Sequence, residues 1–109
     1  MSALALRQMA EFKRKGWTET VVYHPDDEKP RPMDALIDRT PISDAMNMAL
    51  PQFLVTVMND EIHGIAPQLL DRGIDQLELA ERHGGALVTR GIQQITDLDE
   101  EWITLLLKG

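Results

Sequence analysis

Cysteine is absent from this chain of 109 residues, which excludes a disulfide framework and thiolate chemistry. Aromatic residues are scarce at 5%, so each tryptophan counts as a potential anchor. No apolar run approaches the roughly 20 residues that span a bilayer. Basic residues are also in deficit: 11 Lys and Arg against 18 Asp and Glu give a net charge of −7. That balance opposes a general affinity for nucleic-acid phosphates or anionic membranes. The opening "MSALALRQMAEFKRKG" lacks a continuous apolar stretch followed by a small-residue cleavage site, so no signal peptide is expected. The default is a soluble protein of the cytoplasm. With 43% apolar and 27% charged residues the composition is that of one folded domain with a single modest core.

Residues 2–15 carry a helical pattern. Ser2 can cap, Ala5, Met9 and Phe12 recur at helical spacing beside Leu6 and Ala10, and Lys13, Arg14 and Lys15 suit the negative end of the helix dipole. Gly16 supplies the stop. "WTETVVYH", residues 17–24, is β-prone, and "PDDEKPRP" after it has too many prolines for regular structure. Residues 33–39 alternate as a half-buried strand. Residues 40–51, bounded by prolines, hold a short helix or a mobile loop of a length that is usually functional or disordered. "QFLVTVMND" sets Phe53, Val55 and Val57 on one face of a strand, and a single helical turn is expected to begin at Pro67.

"LLDRGIDQLELAERHGGALVTRGIQQI" brackets a His-Gly-Gly between two β-prone runs, the first with imperfect alternation. A phosphate-cradling loop feeds a helix N-terminus, whereas "ALVTRGI" favours a strand. Gly84 and Gly85 therefore mark a hairpin turn with φ > 0. "TDLDEE" reads as an acidic turn and "WITLLLK" as the last strand. The chain from residue 52 onward reads as an antiparallel meander, and five or six strands in so short a chain curl most simply into a small barrel or sandwich. The fold class expected is mainly β with short helices (α+β). Its units are an N-terminal helical arm over residues 1–16 and one small β-barrel over 17–109 with a long loop at about 40–51.

Chemistry-bearing patterns are thin. His24, His63 and His83 show no metal-ligand spacing, and "DLDEE" lacks the glycine and ligand positions of a calcium loop. No serine sits on a nucleophile elbow, and no carboxylate pair is placed by a motif. The one basic cluster, Lys13–Lys15 before Trp17, is accounted for by the helix dipole. Catalytic residues, metal ligands and cofactors are therefore all expected to be none. Trp17 and Trp102 read as core or interface anchors. Met46 and Met48 read as a loop folded over the core or as an adaptable partner surface.

The order of elements carries a resemblance. Arg72-Gly73-Ile74-Asp75 opens a hairpin, His83-Gly84-Gly85 reverses it, Gly91-Ile92-Gln93-Gln94-Ile95 forms the next strand, and Asp97–Glu101 leads into Trp102–Leu107. This half of the chain resembles the head–tail joining proteins of lambda-like tailed phages and related prophage connectors. The N-terminal half follows them by element order only. Ile74 before the aspartate and the "PDDEKPRP" stretch both depart from the family's pattern. The resemblance implies a non-catalytic virion protein of the neck, made in the host cytoplasm. It implies a small β-barrel with short helices that closes as a ring on the portal and offers a surface to tail proteins. Neither sequence-specific nucleic-acid binding nor a membrane enters that picture. It further implies that residues 1–16 and 40–51 are mobile in the free subunit and order on assembly, with Leu6, Met9, Phe12, Trp17, Met46 and Met48 as interface candidates. The alternatives are a tail terminator or other ring-forming neck protein, and a small cytosolic ligand- or metal-binding barrel using His63, His83 and nearby carboxylates.

Overall fold

A computed structural model describes residues 3–25, 29–39, 53–71, 74–80, 82 and 84–107. Helix α1 (Ala3–Arg14) is followed by strands β1 (Glu19–His24), β2 (Arg31–Asp38), β3 (Leu54–Met58), β4 (Gln76–Ala80), β5 (Leu87–Leu98) and β6 (Trp102–Leu107). A single 3-10 turn, Pro67–Leu69, begins at the expected proline. The six strands close into an antiparallel barrel in the order β1-β2-β3-β6-β5-β4. The expected architecture, a small β-barrel preceded by a helix, is the one observed.

Period-two patterning builds the core. Val21 and Tyr23 of β1, Met33 and Ala35 of β2, Val55 and Val57 of β3, and Ile103, Leu105 and Leu107 of β6 all turn inward and are buried. In β4 the alternation is regular, not imperfect. Leu77 and Leu79, two apart, share the inward face, and Gln76 and Glu78 face out. Burying one such leucine contributes roughly 1.5–3 kcal/mol, so this continuous cluster dominates stability.

Three further expectations need correction. The expected meander from residue 52 onward holds only for β4, β5 and β6, because β3 pairs with β2 and β6, while β4 pairs with β1 and β5. The connection 59–75 therefore crosses from one side of the barrel to the other. Local signals carry no information about this closure, which is set by pairing between distant strands. The acidic turn is also shorter than "TDLDEE": β5 runs on to Leu98, and its register on β6 slips between Ile92 and Gln94 and again between Ile95 and Asp97. Each slip places an extra residue on β5, which lets Ile92 and Ile95, three apart, both reach the core. In addition, β2 begins at Arg31, two residues before the expected Met33. Pro32 is accommodated there because β3 pairs only with Leu36–Asp38, leaving β1 as the single neighbour.

The hairpin reading of His-Gly-Gly holds in outline. Ala80 pairs with Leu87, and the Gly85 N–H donates to the Arg82 carbonyl at 2.9 Å. Gly84 has φ +79°, but Gly85 lacks the positive φ expected of it. His83 lies outside the described residues, as does the loop over 40–51.

Helix α1 is made of good helix formers without glycine, proline or β-branched residues. Its end is set by Gly16, with φ +76°, whose N–H donates to the Lys13 carbonyl at 3.0 Å. The Trp17 N–H reaches back to the Phe12 carbonyl at 2.9 Å, completing a Schellman motif. The helix lies on the outside of the barrel. Ala5, Met9 and Met58 form a second, small buried cluster, with Leu6 and Trp102 packed against it.

Candidate functional site

The sequence-derived interface candidates divide into three groups. Phe12 and Trp17 come together at the C-terminal end of α1, Phe12 half-buried and Trp17 58% exposed. Met9 is buried against Met58 on the barrel wall, and half-buried Leu6 packs on the same small cluster. Met46 and Met48 lie outside the described residues.

Trp17 is held in place by its surroundings. Its ring stacks on Phe12 at 5.6 Å between centroids, Phe12 in turn meets Trp102 at 6.3 Å, and the Lys15 ammonium sits 4.7 Å from the Trp17 ring. Below it a surface groove of about 280 Å³ is lined by Trp17, Leu36, Ile37, Asp38, Leu54, Thr56 and Thr104. Strand pairing explains the groove floor. Leu36 stands opposite Thr56, and Thr56 opposite Thr104, so the three form one outward-facing row across β2, β3 and β6. The two threonine hydroxyls bond each other at 2.9 Å, leaving a floor of methyl and leucine surface.

The polar clusters of the described residues lie elsewhere and tie elements together. At one end of the barrel, Asp75 accepts the Tyr23 hydroxyl at 2.5 Å and the Asp71 N–H at 2.9 Å. The Arg31 guanidinium, 5.5 Å from the Tyr23 ring, donates to the carbonyls of Ile62 and Gly64. Next to it, Asp60 accepts the Ile62 N–H at 3.1 Å and meets Nδ1 of His63 at 2.6 Å. Burial would raise the Asp60 pKa, but the bond from His63 and the backbone N–H bonds outweigh it and hold the carboxyl below its usual value. At the other end, Arg39 makes a two-pronged contact with Glu19, 2.6 Å on each prong, and donates to the Ala80 carbonyl. On the barrel wall His24 pairs with Glu78.

Chemically, the Asp60–His63 pair is a carboxylate-oriented imidazole of the sort that serves as a base. The shallow cavity at Asp60 is lined by Asn59, Glu61, Ala66 and Gln68, which supply amides and carboxylates but no hydroxyl. His24 and His63 belong to separate clusters. Among the described residues no group of three or more histidines and carboxylates is placed to hold a metal ion. Nor is any helix among them long and apolar enough to cross a membrane.

Sequence reasoning missed Tyr23, Arg31, Asp60, Gly64 and Asp75. One signal was present: Asp75 is in phase with Leu77 and Leu79, so a carboxylate on that inward face needs a buried donor. The single tyrosine of the chain, in phase with Val21 on the inward face of β1, is that donor. No known protein-family model matches the chain, and no curated protein matches it significantly.

Proposed function

We propose that the chain is a structural protein of the phage or prophage neck, joining the DNA-filled head to the tail as one subunit of a ring, without catalysis of its own. The observation that carries this reading is the face at the end of α1. Trp17 stands exposed on half-buried Phe12, above an open groove, on a barrel whose described polar clusters tie its elements together. An exposed tryptophan set in a fixed frame is the type of anchor on which protein contacts concentrate. The resemblance of residues 72–107 to the joining proteins adds the identity of the partners: the portal ring on one side and tail proteins on the other.

The test is complementation in vitro. Purified protein is added to DNA-filled heads and free tails from a phage stock lacking this gene, and infectious particles are counted. Restored infectivity is the expected result. A folded protein that leaves competent heads and tails unjoined would remove the reading.

A further inference from the structure

We propose that His63 is a site of covalent modification: its Nε2 is the nucleophile that accepts one acyl group per chain from a neutral activated ester or thioester. The site stands apart from the neck reading and is tested on free protein alone.

The turn that carries His63 is tightly braced. Asp60 accepts the Ile62 N–H at 3.1 Å and the His63 N–H at 3.3 Å, and the Gly64 N–H reaches the Asp60 carbonyl at 2.9 Å. Arg31, from β2, donates to the carbonyls on both sides of His63, those of Ile62 and Gly64. Gly64 itself lies against the Met58 backbone, where a Cβ has no room. All of this holds an imidazole side chain that is 41% exposed, against 7% for its partner Asp60. A reactive group keeps its geometry when its supports are locked in this way.

Proton placement makes the ring a nucleophile. An ionised carboxylate can only accept, so the 2.6 Å contact between Asp60 and Nδ1 puts the ring proton on Nδ1. Burial opposes the charge of Asp60, but the bonds from His63 and Ile62 outweigh it and keep the carboxyl ionised. The neutral ring then carries its lone pair on Nε2, which no described residue engages. His24 has the opposite arrangement. Its Nε2 pairs with Glu78, so its lone pair falls on Nδ1, crowded by the side chain's own Cβ. Cysteine, the usual competitor for acyl groups, is absent, and lysine amines are protonated at neutral pH.

Attack by the Nε2 lone pair on the acyl carbon forms the N–C bond as the C–O or C–S bond breaks and its electron pair leaves. The ring becomes an acylimidazolium, whose charge the Asp60 carboxylate offsets, and its Nδ1 proton then passes to water. Asp60 and Glu61, in the same turn, repel a phosphoryl dianion, which selects the neutral acyl donor.

The probe is diethyl pyrocarbonate, a neutral acyl donor, with labelled histidines mapped by mass spectrometry. His63 should react severalfold faster in the folded protein than in the same chain unfolded in urea, and His24 more slowly than in the unfolded chain. Asp60→Asn should slow His63 at least about tenfold, because the ring loses the group that fixes its tautomer and offsets its charge. Thermal melting establishes that this variant is folded, and the comparison with the unfolded chain needs no variant. Phosphoramidate, a phosphoryl donor, should leave His63 unmodified. A His63 rate no higher in the folded than in the unfolded chain, a folded Asp60→Asn protein labelled as fast as the parent, or phosphorylation of His63 would overturn the proposal.

Discussion

The Tyr23 hydroxyl donates to the Asp75 carboxylate at 2.5 Å, joining the last inward side chain of β1 to the residue that precedes β4. Asp75 is 3% exposed and also accepts the Asp71 N–H, so the pair fastens the crossing connection 59–75 to the barrel end. Removing a donor from a buried carboxylate costs about 1–3 kcal/mol. Tyr23→Phe should therefore lower the unfolding free energy from urea titration by that amount while keeping the barrel's circular dichroism. A Tyr23→Phe protein as stable as the parent would show that water satisfies Asp75 equally well.

Gly64 makes a closer approach than any side chain permits. A Cβ at this position would stand 1.8 Å from the Met58 carbonyl oxygen, which itself accepts the Ile65 N–H at 3.0 Å. The obstacle is backbone, so no rotamer change relieves it. Gly64→Ala should destabilise the protein by roughly 3 kcal/mol or more, at the severe end for one methyl group. Gly16→Ala is the useful contrast, because open space surrounds Gly16 and only its φ of +76° opposes a side chain. That change should cost about 1–2 kcal/mol. Paired denaturation curves measure both, and equal losses would contradict the steric account of Gly64.

These two sites also show how far the residues alone could be read. Periodicity is local, so the inward phase of Phe53, Val55 and Val57 at β3 and the helix stop at Gly16 were legible from neighbours along the chain. So was the glycine turn before β5. Closure of the barrel was not, because the pairing of β3 with β6 and of β1 with β4 joins segments that share no local signal. The same is true of Tyr23 with Asp75, 52 residues apart, and of Arg39 with Glu19, 20 apart. Gly64 looks like an ordinary loop glycine until the Met58 carbonyl is beside it. The aromatic face was half legible: the helix placed Phe12 and Trp17, but only the fold sends Met9 inward and brings in Trp102.

Asp60 predicts an acid limb to stability. Its carboxyl is held below the usual value, despite burial that raises it, by the bonds from His63 and from the Ile62 and His63 N–H groups. A depressed folded-state pKa means that the unfolded chain takes up the proton first. The stabilisation is complete above the unfolded value of about 3.9 and is lost as the pH falls through the lower folded value. Asp60→Asn removes this contribution, so parent and variant should differ most above pH ~5 and converge in strong acid. Urea midpoints measured across that range check it. A constant gap at every pH would mean that shape, not charge, is what Asp60 contributes.

Deletion of residues 1–12 tests whether helix and barrel are separable. The barrel core is a single cluster drawn from the strands together with Phe53, Ile65 and Leu70, and α1 contributes no side chain to it. The helix is held instead by the small cluster of Ala5, Met9 and Met58, with Leu6 and Trp102 at its rim. Removing it uncovers Met58 and Trp102 but leaves every inward-facing strand residue enclosed. The shortened chain should keep a cooperative melt. Loss of one buried methionine side chain against the wall removes about 2 kcal/mol, which lowers the midpoint by roughly 8–16 °C in a chain near 100 residues. Loss of Phe12 also frees Trp17 from its stack, so head–tail joining, measured as infectious particles, should fall much further than stability does. A non-cooperative melt would instead make α1 an integral part of the fold. Joining activity equal to the parent's would move the contact surface away from Trp17.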